Sequence, residues 1–297
     1  MEGVMEKRLR SGSLLRIYRF GGEGNDWCFV RTPPGYKPDG RRHPLLICNH
    51  GNGWTMDGSE RAANFSGKTQ YGVDAQNNGL YLDESIPGFE AYSNPTIESF
   101  LEAGYIVCGA QNDADLSYGN EACRQACAAF YRHLTDEYRA DRDNVFMLGC
   151  SNGFMTTLNT AALLGRHALR ALIGLYPLCS LGHACRKTHR QGVMAAYGIG
   201  SCEQFAELAP VYDPQQRDAG LYPPTLLLWS STDGVLPMEH HALPLAARIR
   251  KGGGIVRSVQ IDESGEECRH GDWRHYRSLQ MVDWCEEHRS RKHPEPH

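Results

Sequence analysis

The hydrophobic pattern along the chain switches repeatedly between two periods. Apolar runs at residues 44–49, 105–110, 144–148, 171–176 and 225–229 read as strands buried on both faces, and residues 255–261 add a further strand. Between them the apolar positions recur every three or four residues. Ile97, Phe100 and Leu101 mark one helix, started by Asn94-Pro95 and ended by Gly104. Ala122, Ala126, Phe130, Leu134 and Tyr138 mark a second over about 120–139, with Asp141-Arg142-Asp143 as the turn that follows it. Phe154, Met155, Leu158, Ala161 and Ala162 mark a third, residues 239–251 a fourth, and Trp273, Tyr276, Leu279, Met281, Val282 and Trp284 a last amphipathic helix. Near the N-terminus, residues 13–19 and 26–31 flank a glycine-rich turn and predict an antiparallel hairpin. The regular alternation of strand and helix predicts a parallel sheet with helices on both faces.

Two stretches break the rhythm. Residues 54–93 show no sustained period and are rich in Gly, Asn, Ser and aromatic residues; a loop of that length inside a compact domain reads as a lid or pocket wall. Residues 177–223 read as a small helical cap over the strand ends, with His183 and His189 in a charged run that predicts solvated side chains. No stretch reads as a linker, so the expectation is one domain over 1–297 carrying these two insertions.

Composition narrows the function classes. Hydrophobic residues make up 41% of the chain and charged residues 22%, with a formal net charge of -4, which gives no electrostatic reason to expect nucleic acid. No run approaches the ~20 apolar residues of a membrane span, and residues 1–8 do not lead into a secretory signal, so the expectation is a cytoplasmic protein with no membrane partner. Self-association as a homo-oligomer is left open. The 11 cysteines are odd in number and lie mostly in apolar segments, which predicts buried, reduced thiols. The closest pairs, Cys123 with Cys127 and Cys179 with Cys185, lack the second pair or histidine of a zinc site.

Candidate chemistry gathers at strand exits. Gly149-Cys150-Ser151-Asn152-Gly153 fits GxSxG and joins an apolar strand to a helix. A strand that reverses into a helix strains the residue at its apex and leaves no room for side chains two positions away. The two glycines answer that crowding, Ser151 projects outward, and the Asn152 N–H points toward any oxyanion formed there. His50-Gly51-Asn52-Gly53 leaves the 44–49 strand through a turn whose backbone can approach a carbonyl oxygen. Asp113 and Asp115 follow the 105–110 strand, as capping acids or as partners of a cationic group. Thr232-Asp233-Gly234 follows the 225–229 strand, and His270-Gly271 precedes the last helix, with His275 as the rival histidine.

These landmarks, in this order, resemble the α/β-hydrolase superfamily, in particular its esterase, dienelactone-hydrolase and prolyl-oligopeptidase-like branches. Many members carry a glycine where this chain has Phe154 and a His-Gly pair where it has Trp229-Ser230. The resemblance implies an α/β-hydrolase fold with a mostly parallel eight-stranded sheet, helices on both faces and a small cap or lid. It implies a catalytic triad of Ser151, Asp233 and His270, with Asn52 and Asn152 as oxyanion donors, and no metal or organic cofactor. Trp54, Asp113 and Tyr176 are the candidate substrate contacts. The implied activity is carboxylic ester hydrolysis of a small-molecule substrate. The alternatives are cleavage of a short peptide or amide, and a non-catalytic binding protein on the same fold.

Overall fold

The computed structural model describes residues 5–20, 26–51, 95–112, 118–262, 268–271 and 280–290. In chain order, the first half comprises β1 (Met5–Arg8), β2 (Leu14–Phe20), β3 (Asp26–Thr32), β4 (His43–Asn49), α1 (Pro95–Glu102), β5 (Ile106–Ala110), α2 (Glu121–Glu137), β6 (Ala140–Cys150) and α3 (Asn152–Leu164). The second half comprises β7 (Ala171–Leu175), α4 (Leu181–Arg186), α5 (Arg190–Tyr197), α6 (Phe205–Tyr212), β8 (Thr225–Trp229), α7 (Ala242–Lys251), β9 (Val256–Gln260) and α8 (Gln280–His288).

The strands form one sheet in the order β1-β2-β3-β5-β4-β6-β7-β8-β9. The first three pair antiparallel, as does β3 with β5, and the remainder is parallel. Successive residues of a strand point to opposite faces, so each buried strand feeds two cores. Leu45, Ile47, Val145 and Met147 pack with α2, α3 and α7 through Phe130, Leu158 and Leu245. Leu46, Cys48, Phe146 and Leu148 pack with α1 and α8 through Phe100 and Trp284. Every residue of β4, β5 and β7 is buried, as the apolar runs demand of strands covered on both sides.

Among the described residues the sheet has nine strands, against the eight expected. The additional strand, β1, is Met5-Glu6-Lys7-Arg8, too short and too charged to show a period; it adds to the edge by pairing Met5 with Ile17 and Arg8 with Leu14. The turn expected at residues 141–143 is instead part of β6, because Ala140 pairs with His43 ahead of a register shift that brings Val145 opposite Leu45. The fourth helix starts at Ala242 rather than near 239. The lid-like stretch at 54–93 lies outside the described residues, as do residues 273–279, where the last helix was expected to begin.

The cap-like stretch contains α4, α5 and α6, which close a third core of Leu181, Ala184, Val193, Phe205 and Ala209 over Tyr118 and Met155. Buried Arg217 ties this region to α3: its guanidinium donates to Leu158 O at 3.0 Å, to Asn159 Oδ1 and to Val211 O at 2.7 Å. Cys185 and Cys202 are joined by a disulfide, with Cα atoms 5.7 Å apart. That corrects the expectation of reduced thiols throughout. The chain leaves α4, turns through α5 and returns to the start of α6, so residues 17 apart in sequence meet, whereas Cys179, the nearer neighbour of Cys185, stays a free thiol. No helix among the described residues is long and apolar enough to cross a membrane.

Candidate active site

The elbow forms where β6 turns into α3. Ser151 has φ 51° and ψ -123°, a positive φ that a non-glycine residue adopts only where its surroundings impose it. Its N–H donates to Leu175 O at 3.0 Å, and its carbonyl accepts from Phe154 N at 3.1 Å and Leu178 N at 3.0 Å, so the strained backbone is fixed from three sides. The flanking glycines are sterically required. A Cβ on Gly149 would stand 2.5 Å from Gly153 O, and one on Gly153 would collide with the carbonyl oxygens of Asn49 and His50. Phe154 lays its ring over Gly174 of the neighbouring strand, where a Cβ would stand 3.0 Å from it.

Ser151, His270 and Asp233 meet above this turn. His270 Nε2 lies 2.9 Å from Ser151 Oγ, and His270 Nδ1 lies 2.8 Å from Asp233 Oδ2. The other carboxylate oxygen of Asp233 accepts from Val235 N at 2.9 Å and Leu236 N at 3.0 Å. Burial raises the Asp233 pKa, but the hydrogen bond and charge of His270 and the two N–H groups outweigh it and hold the carboxyl below its ordinary value. An ionised Asp233 can only accept, so Nδ1 carries the proton and Nε2 is left to accept from the serine hydroxyl. The Ser151 side chain caps no backbone N–H of α3, which leaves its hydroxyl to the imidazole.

The loops that present the acid and the base are clamped together. Thr232 Oγ1 donates to Cys268 O at 3.1 Å and accepts from Cys268 N at 2.8 Å, two residues from His270. Asp262, at the exit of β9, accepts from Ser231 N at 2.9 Å. Tyr176 also has a positive φ, 36°, and turns its ring against His270 with centroids 4.8 Å apart and planes at 72°. His50 bridges two strand exits, with its ring nitrogens 2.8 Å from Gly51 O and 2.9 Å from Gln111 O.

Of the residues singled out from sequence, Ser151, Asp233, His270, Asn152 and Tyr176 are therefore brought together at one end of the sheet. Asn152 is the first residue of α3, where helix N–H groups are unsatisfied and the dipole favours negative charge. Asn52, Trp54, Asp113, Asp115 and His275 lie outside the described residues. The histidines read as solvated are not: His183 stacks on His240 with centroids 4.1 Å apart, and His189 is half-buried. Fully buried His241 was not singled out. It accepts from Cys179 N at 3.3 Å through Nδ1, and burial followed by the charges of His183 and His189 pushes its pKa down to about 3. Among the described residues no three His, Cys, Asp or Glu side chains are grouped so as to hold a metal ion. Thr232 and Asp262 were also missed, because their contacts span 36 and 31 residues and have no local signal.

The mixed sheet, with its antiparallel edge, parallel centre and serine at the β6–α3 bend, defines a protein of the α/β-hydrolase fold. Solved structures place it beside an S-formylglutathione hydrolase from Agrobacterium tumefaciens, with a TM-score of 0.68 and 12% identity over 97% of this chain and 99% of that one. It is also similar to a Mycobacterium tuberculosis puromycin-hydrolyzing peptidase, with a TM-score of 0.66 and 16% identity over 93% of this chain and 39% of the other. A third similar structure is prolyl oligopeptidase B from Galerina marginata, with a TM-score of 0.61 and 14% identity over 92% and 35%. The chain thus spans well under half the length of either peptidase. No family model and no curated protein matches it.

Proposed function

We propose that the protein is a serine hydrolase that cleaves carboxylic esters through an acyl-enzyme. Ser151 is the nucleophile, His270 the general base and acid, and Asp233 the group that orients the imidazole. The observation that carries the reading is the unbroken row Ser151 Oγ, His270, Asp233 with separations of 2.9 and 2.8 Å. His270 Nε2 takes the hydroxyl proton as Oγ attacks the carbonyl carbon, and the imidazolium is stabilised by the Asp233 carboxylate. Collapse of the tetrahedral intermediate expels the alcohol, which receives that proton, and water repeats the sequence on the acyl-enzyme. The Asn152 N–H receives the oxyanion, together with that of Asn52; each such donor is worth roughly 3 to 4 kcal/mol.

The chain matches the S-formylglutathione hydrolase from end to end but little more than a third of the two peptidases. A cytoplasmic location belongs to the same proposal, supported by nine buried free thiols against one disulfide among the described residues. The test is a panel of p-nitrophenyl esters beside aminoacyl anilides. Turnover of the esters by wild type, lost in Ser151→Ala, is the expected result; turnover of the anilides alone favours the amidase reading, and turnover of neither favours a binding protein.

A further inference from the structure

The two N–H groups assigned above to the oxyanion belong to separate segments, so their spacing depends on how those segments are held. Asn152 opens α3, while the turn His50-Gly51-Asn52-Gly53 leaves the sheet directly after Asn49, the last residue of β4. The segments touch through backbone: a Cβ on Gly153 would stand 2.1 Å from Asn49 O and 2.3 Å from His50 O. A chain of side-chain hydrogen bonds runs along this contact. Asn112 Nδ2, beyond the end of β5, donates to Asn49 Oδ1 at 2.9 Å, and Asn49 Nδ2 donates to Thr157 Oγ1 at 2.8 Å. The Thr157 hydroxyl in turn donates to Gly153 O at 3.1 Å. All three residues are buried, none more than 2% exposed. Asn112 holds a positive φ of 56°, and Cys127 Sγ, 3.4 Å away, is a second donor to Asn49 Oδ1.

The chain has one direction. The Thr157 hydroxyl has a single hydrogen and gives it to Gly153 O, which leaves its oxygen to accept from Asn49. Gly153 O lies in the first turn of α3, one residue from the Asn152 N–H, so the last link ends beside one oxyanion donor and Asn49 begins the turn that carries the other. We propose that Asn49 and Thr157 are positioning residues of this site, which fix the β4 exit against the first turn of α3 and so set the spacing of the two oxyanion donors. The assignment rests on the serine-hydrolase reading above. Misplacing either donor weakens bonds made only once the carbonyl oxygen has become an oxyanion, so the loss falls on kcat rather than on KM.

The test measures hydrolysis of p-nitrophenyl acetate per Ser151 site, counted by end-point labelling with a fluorophosphonate. Beside it stands the Ki of phenylboronic acid, whose adduct with a serine is a tetrahedral anion. Thr157→Val keeps the side-chain shape but leaves Asn49 Nδ2 and Gly153 O without their partner. It is expected to lower kcat per site roughly tenfold with KM within about twofold of wild type, and to raise Ki by a similar factor. Thr157→Ser, which keeps the hydroxyl, is expected to recover most of the rate. Asn112→Gly accommodates the positive φ and cuts the chain at its other end; a fall in kcat of roughly fivefold is expected. A purely structural role would change the number of labelled sites or the urea midpoint and leave kcat per site and Ki at wild-type values, and that outcome overturns the proposal. A loss carried by KM, or one that Thr157→Ser reproduces in full, overturns it as well. Wild type that takes up no label contradicts the serine-hydrolase reading itself, whereas labelled wild type beside an unaffected Thr157→Val contradicts only the roles of Asn49 and Thr157.

Discussion

At the scale of single residues, the site is a chain of hydrogen-bond donors and acceptors in which each member fixes the next. Asp233 has both oxygens occupied, one by two backbone N–H groups and one by His270, and its side chain is only 2% exposed. Replacing it with Asn keeps the shape but supplies an amide that can donate to Nδ1, which would move the imidazole proton to Nε2 and block acceptance from Ser151. Asp233→Asn is accordingly expected to lower kcat for a p-nitrophenyl ester on the order of 10⁴-fold with the fold retained, measured by steady-state kinetics beside far-UV circular dichroism. Ser151 and Asp233 were legible in the sequence because each sits in a short polar stretch directly after an apolar strand, and His270 because it precedes the last helix in the order that the family resemblance implies. The clamp made by Thr232 was not, because it acts across 36 residues on Cys268.

At the scale of elements, the decisive feature is the passage from β6 into α3. The helix starts so close to β4 that its second residue has no room for a side chain, since a Cβ on Gly153 would meet backbone carbonyl oxygens that cannot turn aside. Gly153→Ala is expected to cost about 3 kcal/mol or more in a urea melt, with loss of activity. A loss under about 0.5 kcal/mol would contradict this account of the elbow. The two glycines and the change of period were visible in the sequence, as were the six strands of the parallel core and the five helices that cover it. The β1 edge strand and the Cys185–Cys202 bridge were not, because a four-residue charged strand has no period and because proximity of cysteines along the chain says nothing about where a helical excursion returns.

At the scale of the whole molecule, two buried layers hold one sheet, and the groups needed for chemistry project from the ends of its parallel strands. Burying histidines near that edge makes stability depend on pH. His241 in the folded chain stays neutral down to about pH 3, whereas a histidine in the unfolded chain takes up its proton near 6.5. The unfolded chain therefore binds more protons between those values, and stability falls as pH is lowered from about 6.5 toward 3, by up to about 1.4 kcal/mol per pH unit for this residue. His189, held near 4, contributes with the same sign. Asp233 is held below its ordinary 3.8, so the stability it contributes is present above that pH and is lost only at lower values, outside the interval from 6.5 to 4.5. Urea melts over that interval are expected to show a shallower slope in His241→Gln than in wild type; equal slopes would contradict a buried neutral His241.

The central claim is that Ser151 is a nucleophile activated by His270, and intact-mass spectrometry after treatment with a fluorophosphonate tests it most directly. One adduct per chain, mapped to Ser151 and absent from both Ser151→Ala and His270→Ala, is the predicted result. Folded wild-type protein that takes up no adduct, or takes it up at another residue, would contradict the account.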